Sequence, residues 1–160
     1  MGIDYEPSRA SNVADRELVP DGLLILSGVR LYLVRHAEAA PGDPDELRAL
    51  TPEGRRVARA LGDELAAEGV RPDAILSSPL LRARETAREI GRATGVEPST
   101  DDRLGFGATA AGVLQAADGK GETIVAVGHQ PDCGRIAAEL GDGVEPPFPP
   151  GGMVVLELSS

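Results

Sequence analysis

TIVAVGH at residues 123–129 is the clearest buried strand in this sequence, and it ends in a glycine and a histidine. Three further runs have the length of strands: LYLV at 31–34, AILS at 74–77 and MVVLEL at 153–158. Short continuous apolar runs of this kind are typical of strands that are buried in a parallel sheet. The four runs together therefore predict a central sheet.

Helical patterns separate these strands. TPE at 51–53 is a helix start, with threonine as N-cap, proline at the first helical position and an acid in the first turn. Leucine and valine side chains then recur every four residues, at Val57, Leu61 and Leu65. Three more helices are predicted over about 79–94, ending at a glycine, and over 109–117 and 131–140. Residues 96–104 are interpreted as a short strand and a loop.

The alternation of strands and helices predicts the fold class. Strand–helix–strand units with right-handed crossovers give a mostly parallel central sheet with helices on both faces. We therefore expect a three-layer α/β fold. At 160 residues the chain has room for one ordinary domain. Residues 29–160 are expected to form that domain, and residues 1–28, polar apart from LLIL at 23–26, to form a tail or an added strand.

Composition argues against several classes of function. The formal net charge is -10 and only 2% of the residues are aromatic. Such a chain is poorly suited to bind a nucleic-acid backbone, to stack on bases or to associate with an anionic membrane. The single cysteine, Cys133, suits a reducing compartment and is interpreted as a small packing residue. We expect a cytoplasmic protein with no nucleic-acid or membrane partner.

Polar side chains follow three of the predicted strands. Arg35 and His36 come directly after the first strand, Ser77 and Ser78 stand at the end of the second, and His129 follows the glycine at 128. In open α/β sheets, binding sites form at the carboxyl ends of the strands. We therefore expect these three segments to deliver their side chains to one edge of the sheet.

The residue types suit phosphate chemistry, although each has an ordinary structural explanation when considered alone. A neutral imidazole such as that of His36 is a competent nucleophile toward phosphorus. Nearby arginines keep such an imidazole from protonating, and their fork matches phosphate oxygens. Arg82 lies in the first turn of a predicted helix, and His129 could donate hydrogen bonds to a bound anion. Structural histidines cap strand or helix ends, and a lone arginine is usually a surface residue.

Considered together, three segments match a known pattern. LVRHAE at 33–38, SSPLLRA at 77–83 followed by Thr86 and Ala87, and VGH at 127–129 resemble the histidine phosphatase (phosphoglycerate mutase-like) superfamily. The resemblance is greatest to the small SixA-type phosphohistidine phosphatases and covers residues 29–158. It implies a phosphoglycerate mutase-like fold without a large helical cap.

The same resemblance implies roles for four residues. His36 becomes the phosphorylated nucleophile, and Arg35, Arg82 and His129 become the phosphate pocket. The resemblance implies neither a metal ion nor an organic cofactor. With two histidines and one cysteine, the chain also lacks the ligand spacing of common metal sites.

The sequence departs from the larger superfamily members in ways that bear on the substrate. Ala37 replaces the more usual glycine, Gln130 stands where asparagine is common, and the acidic proton donor of the larger mutases has no counterpart in a recognisable motif. The general acid is therefore unassigned, with these carboxylates as candidates: Glu38, Glu97, Asp101, Asp102, Asp118 and Glu122. The short stretch from 95 to 122 predicts an open, shallow pocket. Such a pocket suits a phosphate on a protein or a good leaving group such as imidazole.

The leading hypothesis is a phosphatase that works through a phosphohistidine intermediate on His36, with protein phosphohistidine as the candidate substrate. One alternative is a small-molecule phosphomonoester phosphatase of the same superfamily. A second alternative, from a different class, is a non-catalytic phosphate-binding module. The partners expected are therefore a phosphorylated protein or a small phosphate ester.

Overall fold

The structure, a computed structural model, describes residues 16–18, 24–26 and 28–158. Before residue 28 it contains two short strands, β1 (Arg16–Leu18) and β2 (Leu24–Leu26), which pair antiparallel with each other. These two strands form a sheet of their own and do not extend the central sheet. The rest of the predicted tail lies outside the described residues, so the domain division at residue 28 stays a prediction.

The central sheet has five strands in the order β5-β4-β6-β3-β7. Neighbouring strands from β5 through β3 are parallel, and only β7 runs antiparallel to its neighbour, β3. This confirms the predicted mostly parallel sheet. The strands are β3 (Val29–Arg35), β4 (Ala74–Ser77), β5 (Ser99–Thr100), β6 (Thr123–Gly128) and β7 (Met153–Leu158).

In the described part of the chain, four α-helices connect the strands: α1 (Pro52–Ala67), α2 (Leu81–Thr94), α3 (Ala110–Ala117) and α4 (Asp132–Leu140). Short 3-10 helices lie at Asp45–Leu47 and Asp102–Leu104. Within the described segments, no helix combines the length and the apolar character that crossing a membrane requires.

Local signals placed the helix ends well. The hydroxyl of Thr51 accepts a hydrogen bond from the amide of Gly54 at 2.9 Å, so the predicted N-cap of α1 is confirmed. Gly95 ends α2 with a φ of 81°, a left-handed conformation that glycine adopts without steric cost. The predicted start of α2 near residue 79 was too early. Leu80 is still extended and is the N-cap residue, so α2 begins at Leu81.

Strand alternation divides the core between the two faces of the sheet. Leu31 and Leu33 belong to a cluster with apolar side chains of α3 and α4. Tyr32 and Val34 belong to a second cluster, which includes Leu65 of α1 and the apolar side chains of α2. Helices therefore cover both faces, which confirms the predicted three-layer α/β fold.

The packing of α1 differs in detail from the predicted stripe. Of the three large residues predicted on one face, only Leu65 is fully buried, whereas Val57 and Leu61 are half-buried. The other fully buried positions of the helix carry small residues, Gly54, Ala58 and Gly62. Gly62 lets α1 approach the backbone of α2 closely, whereas Gly54 lies against the backbone of Glu38 and Ala58 packs with Ala37 and Leu50.

Candidate active site

The register of the central sheet brings the predicted site residues together. Arg35, the last residue of β3, pairs with Gly128, the last residue of β6. The amide of His36 donates to the carbonyl of Gly128 at 3.0 Å, so the histidines that follow the two strands become neighbours. Their ring centroids are 5.2 Å apart, with the planes at 61°.

His36 is held as a neutral imidazole in a defined tautomer. Its Nδ1 lies 2.7 Å from the carbonyl oxygen of Ala37. Because a carbonyl can only accept, Nδ1 carries the proton and Nε2 keeps its lone pair. The pKa of His36 is lowered to about 4, chiefly by burial. The hydrogen bond to the Ala37 carbonyl opposes this shift, and the positive charges of Arg82 and Arg35 add to it. The His36 side chain is therefore an uncharged imidazole at neutral pH.

His129 lies at the bottom of the site, with only 2% of its surface exposed. Its Nε2 is 2.8 Å from the hydroxyl oxygen of Ser78, and that oxygen also accepts from the amide of Leu80 at 3.2 Å. The Ser78 proton can therefore be donated to Nε2, which leaves Nδ1 as an N–H group. Among the described residues, this buried Nδ1 has no hydrogen-bond partner.

The pKa of His129 is also lowered to about 4. Burial is the first cause, followed by the repulsion of a positive charge by His36 and Arg82. Two neutral imidazoles thus stand side by side near a buried arginine. A site with this character favours a bound anion over a second positive charge.

Arg82 lies in the first turn of α2 and is 3% exposed. Its guanidinium donates to the backbone carbonyl of Asp45 at 2.9 Å and to the carboxylate of the same residue at 3.1 Å. Hydrogen bonds from Arg48 and Arg82 hold the pKa of the Asp45 carboxyl below its usual range. One terminal nitrogen of Arg82 therefore faces a neutral carbonyl and the other an anionic oxygen, which is the type of group that a phosphate would present.

Arg35 contributes a second guanidinium beside His36. One of its terminal nitrogens donates to the carbonyl of the buried Phe148 at 2.9 Å. Its Nε is buried and has no partner within the part of the chain that the structure describes. Arg35 therefore has a fixed position and an unused donor.

Thr86 links the His36 segment to α2. Its hydroxyl oxygen accepts from the amide of Ala37 at 3.0 Å and donates to the carbonyl of Arg82 at 2.9 Å. The side chain is fully buried. The backbone next to His36 is consequently fixed relative to the helix that carries Arg82, which explains why a threonine at this position accompanies the arginine.

Comparison with known proteins places this arrangement in a family. The family model described as histidine phosphatase superfamily (branch 1) matches residues 31–105. The phosphohistidine phosphatase SixA of Escherichia coli (strain K12) is 30% identical over 128 residues, which span 75% of this chain and 79% of the relative. The chain belongs to the histidine phosphatase superfamily. Within it, the similarity is to the SixA-type branch.

Solved structures support the same placement of this histidine phosphatase. The protein histidine phosphatase SixA complexed with tungstate superposes with a TM-score of 0.73 at 26% identity, covering 79% of this chain and 86% of that one. The SixA structure from Agrobacterium tumefaciens gives 0.70 at 32% identity, covering 82% and 93%. The fold is therefore phosphoglycerate mutase-like, as the sequence resemblance implied.

Asp45 is the carboxylate that contacts Arg82 in this histidine phosphatase. It was not among the acids that the sequence suggested as the general acid. Of those, Glu38 accepts from the hydroxyl of Thr51 at 2.7 Å, and Asp101 pairs with Arg103 at 2.8 Å. Asp45 belongs to no motif, and its contact with Arg82 joins residues 37 positions apart. No local pattern could have indicated it.

The remaining chemistry-bearing groups of this histidine phosphatase are buried or scattered. Across residues 28–158 and the two short strands, no group of three or more His, Cys, Asp or Glu side chains is placed to hold a metal ion. Cys133 is 1% exposed, and burial raises the pKa of its thiol to about 12. Its interpretation as a packing residue is confirmed.

Proposed function

We propose that this chain is a phosphatase that hydrolyses phosphohistidine on a protein, through a phosphoenzyme intermediate on His36. The observation that carries the proposal is the 2.7 Å contact between His36 Nδ1 and the Ala37 carbonyl oxygen. The Ala37 carbonyl fixes the proton on Nδ1, so the lone pair on Nε2 is available beside His129 and two arginines. The relative from Escherichia coli, which is a phosphohistidine phosphatase, supports this choice of substrate.

The phosphoryl group would be held by three side chains. Arg35 and Arg82 would hydrogen-bond its oxygens, with Arg82 exchanging its contact with the Asp45 carboxylate for one with phosphate. The unpartnered Nδ1–H of His129 would donate to a third oxygen. These donors are fixed before the substrate arrives, and preorganised donors stabilise the negative charge that develops in the transition state.

The reaction would take place in two displacements at phosphorus. The lone pair of His36 Nε2 attacks, the bond between phosphorus and the substrate nitrogen breaks, and the leaving imidazole nitrogen takes a proton from water. Water then attacks the phosphorus of phosphorylated His36, which releases inorganic phosphate and restores the free imidazole. An imidazole leaves more readily than an alkoxide, so the reaction needs little help from an acid.

The state of the site at neutral pH agrees with this leaving group. His36 and His129 are both neutral, and Asp45 is ionised. The Asp45 carboxyl is therefore deprotonated and neither imidazole is an imidazolium, so none of the three groups is an acid poised to protonate an alkoxide leaving group. The substrate class proposed here follows from that electrostatic state together with the similarity to SixA.

The test uses the full chain, a phosphohistidine peptide and an alkyl phosphomonoester. We expect turnover of the peptide to be favoured, and His36→Ala to lower kcat about 10³-fold or more while tungstate binding is retained. Arg82→Ala should lower kcat about 10²- to 10³-fold. Arg88 is an exposed arginine on the same helix, and the matched control Arg88→Ala should change neither kcat nor tungstate binding.

The possible outcomes distinguish the proposed nucleophile and function from the alternatives. Unchanged turnover in His36→Ala would refute the nucleophile. A strong preference for the alkyl ester would instead favour a small-molecule phosphatase. A parent protein that binds phosphate without turning over any substrate would be a binding module. An acid-labile, alkali-stable phosphoenzyme in the parent that is absent from His36→Ala would identify the intermediate.

A further inference from the structure

Phe106 is an exposed aromatic side chain that contacts the phosphate pocket. It is one of two phenylalanines in the chain, and 62% of its surface is exposed, whereas Phe148 is buried. The ring centroid lies 4.5 Å from that of His129, with the planes tilted by 36°. The guanidinium carbon of Arg82 lies 5.4 Å from the centre of the same ring. One side of the ring therefore borders the pocket, and most of the rest faces solvent.

The loop that carries Phe106 is fixed to the element that follows His129. The amide of Gly107 donates to the carboxylate of Asp132 at 2.9 Å, and Asp132 is a nearly fully buried residue at the start of α4. A second bond, from the amide of Ala108 to the carbonyl of Gly105 at 3.1 Å, closes the turn. The backbone that carries Phe106 is therefore fixed next to His129 without any ligand.

We propose that Phe106 forms one wall of a leaving-group subsite that accepts a planar ring. The inference rests on the proposed function, in which His129 and Arg82 hold the phosphoryl oxygens. A group bonded to phosphorus next to these two residues lies within reach of the exposed face of Phe106. An imidazole or a phenyl ring can stack there in the offset or tilted geometry that aromatic pairs prefer. A small non-aromatic leaving group gains no such contact.

A comparison of two substrates with the same scissile bond tests the subsite. Phosphoimidazole and phosphoramidate both have a phosphorus–nitrogen bond, but only the first has a ring on the leaving group. We expect Phe106→Ala to lower kcat/KM for phosphoimidazole roughly 3- to 10-fold, which is the effect of losing one aromatic pair. The value for phosphoramidate should stay within about 2-fold. The same selective loss is expected for a phosphohistidine peptide.

Conservative variants and a control keep the test independent of folding. Phe106→Tyr preserves the ring and should preserve the selectivity, whereas Phe106→Leu should lose most of it. Val155→Ala, which shortens an exposed apolar side chain on β7, should leave kcat/KM for both substrates unchanged. Tungstate affinity should be the same in the parent, Phe106→Ala and Phe106→Leu, because the phosphate donors are untouched.

Two outcomes would overturn the subsite. Equal losses for both substrates would mean that Phe106 only supports His129 and Arg82. No loss for either would mean that the ring does not contact the leaving group. Failure of the proposed function itself is distinguishable, because it would show in the parent as an absence of turnover, or in His36→Ala as unchanged turnover, whatever residue stands at position 106.

Discussion

At the residue scale, the two histidines share one electrostatic property. Burial and the nearby guanidiniums lower the pKa of each to about 4, below the ordinary value near 6.5. Between these pH values the unfolded chain binds protons that the folded chain does not. The free energy of unfolding should therefore rise with pH from about 4 to 6.5 and gain nothing further from these groups above that range.

The histidine pKa values can be measured directly because the chain has only two histidines. We expect the two ring-proton NMR signals to titrate near pH 4 in the folded protein, and His36→Ala assigns them by removing one signal. Saturating tungstate should raise both histidine pKa values above those of the free protein, since a neighbouring anion favours the protonated imidazole. A midpoint near 6.5 for either signal would contradict the buried, neutral state on which the nucleophile depends.

Much of the site could be predicted from single residues and their neighbours. Arg35, His36 and His129 lie at or directly after the carboxyl ends of apolar strands, so their meeting at one sheet edge follows from strand direction alone. Asp45 and Phe106 could not be predicted in this way. Asp45 contacts Arg82 from a short 3-10 helix and Phe106 contacts His129 from a turn, and such tertiary contacts leave no periodic pattern in the sequence.

At the element scale, the contact between α1 and α2 sets the position of Arg82 and Thr86. Gly62 of α1 lies directly against the backbone of α2. A Cβ at this position would be 2.6 Å from the carbonyl oxygen of Glu89 and 3.1 Å from the Cα of Ile90. Backbone atoms cannot rotate away as a flexible side chain can, so the helices would have to separate.

We therefore expect Gly62→Ala to lower the free energy of unfolding by about 1–3 kcal/mol. This would occur although alanine has the better helix propensity, by about 1 kcal/mol. The measurement is urea denaturation followed by circular dichroism. Gly112→Ala in α3 is the control, because the nearest atom to its Cβ is the capping hydroxyl of Thr109 at 3.2 Å. That variant should be neutral or slightly stabilised, and equal effects at the two positions would refute close packing as the cause.

Elements with strong local signals were predicted with nearly correct bounds, and the short strand expected within residues 96–104 was confirmed as β5, although its bounds were not predicted. Thr51 with Pro52 indicated the start of α1, and Gly95 indicated the end of α2. β5 consists of only Ser99 and Thr100, both exposed, so neither apolar character nor alternation could define it. It exists because β4 offers an open edge to pair with, which is a property of the assembled sheet.

At the scale of the whole molecule, the central sheet is built entirely from residues 29–158. Its two outer strands are β5 and β7, and the strands before residue 28 pair only with each other. β2 contacts α3. The fold class was therefore predictable from the part of the chain with strong strand and helix patterns. The predicted domain division at residue 28 can be tested by removing the residues before it.

A chain that starts at Gly28 should fold and remain active. It keeps every strand of the central sheet and the bond from the Gly28 amide to the carbonyl of Leu158 at 2.8 Å. We expect its Tm to stay within about 5 °C of the parent, which corresponds to roughly 1–2 kcal/mol for a chain of this size. Its kcat/KM for phosphoimidazole should be unchanged. The matched deletion ends at Gly152 and removes β7, with the core residues Leu156 and Leu158, so that chain should not fold. If the chain from Gly28 were also unfolded, the first 27 residues would be part of the domain and the division at residue 28 would be wrong.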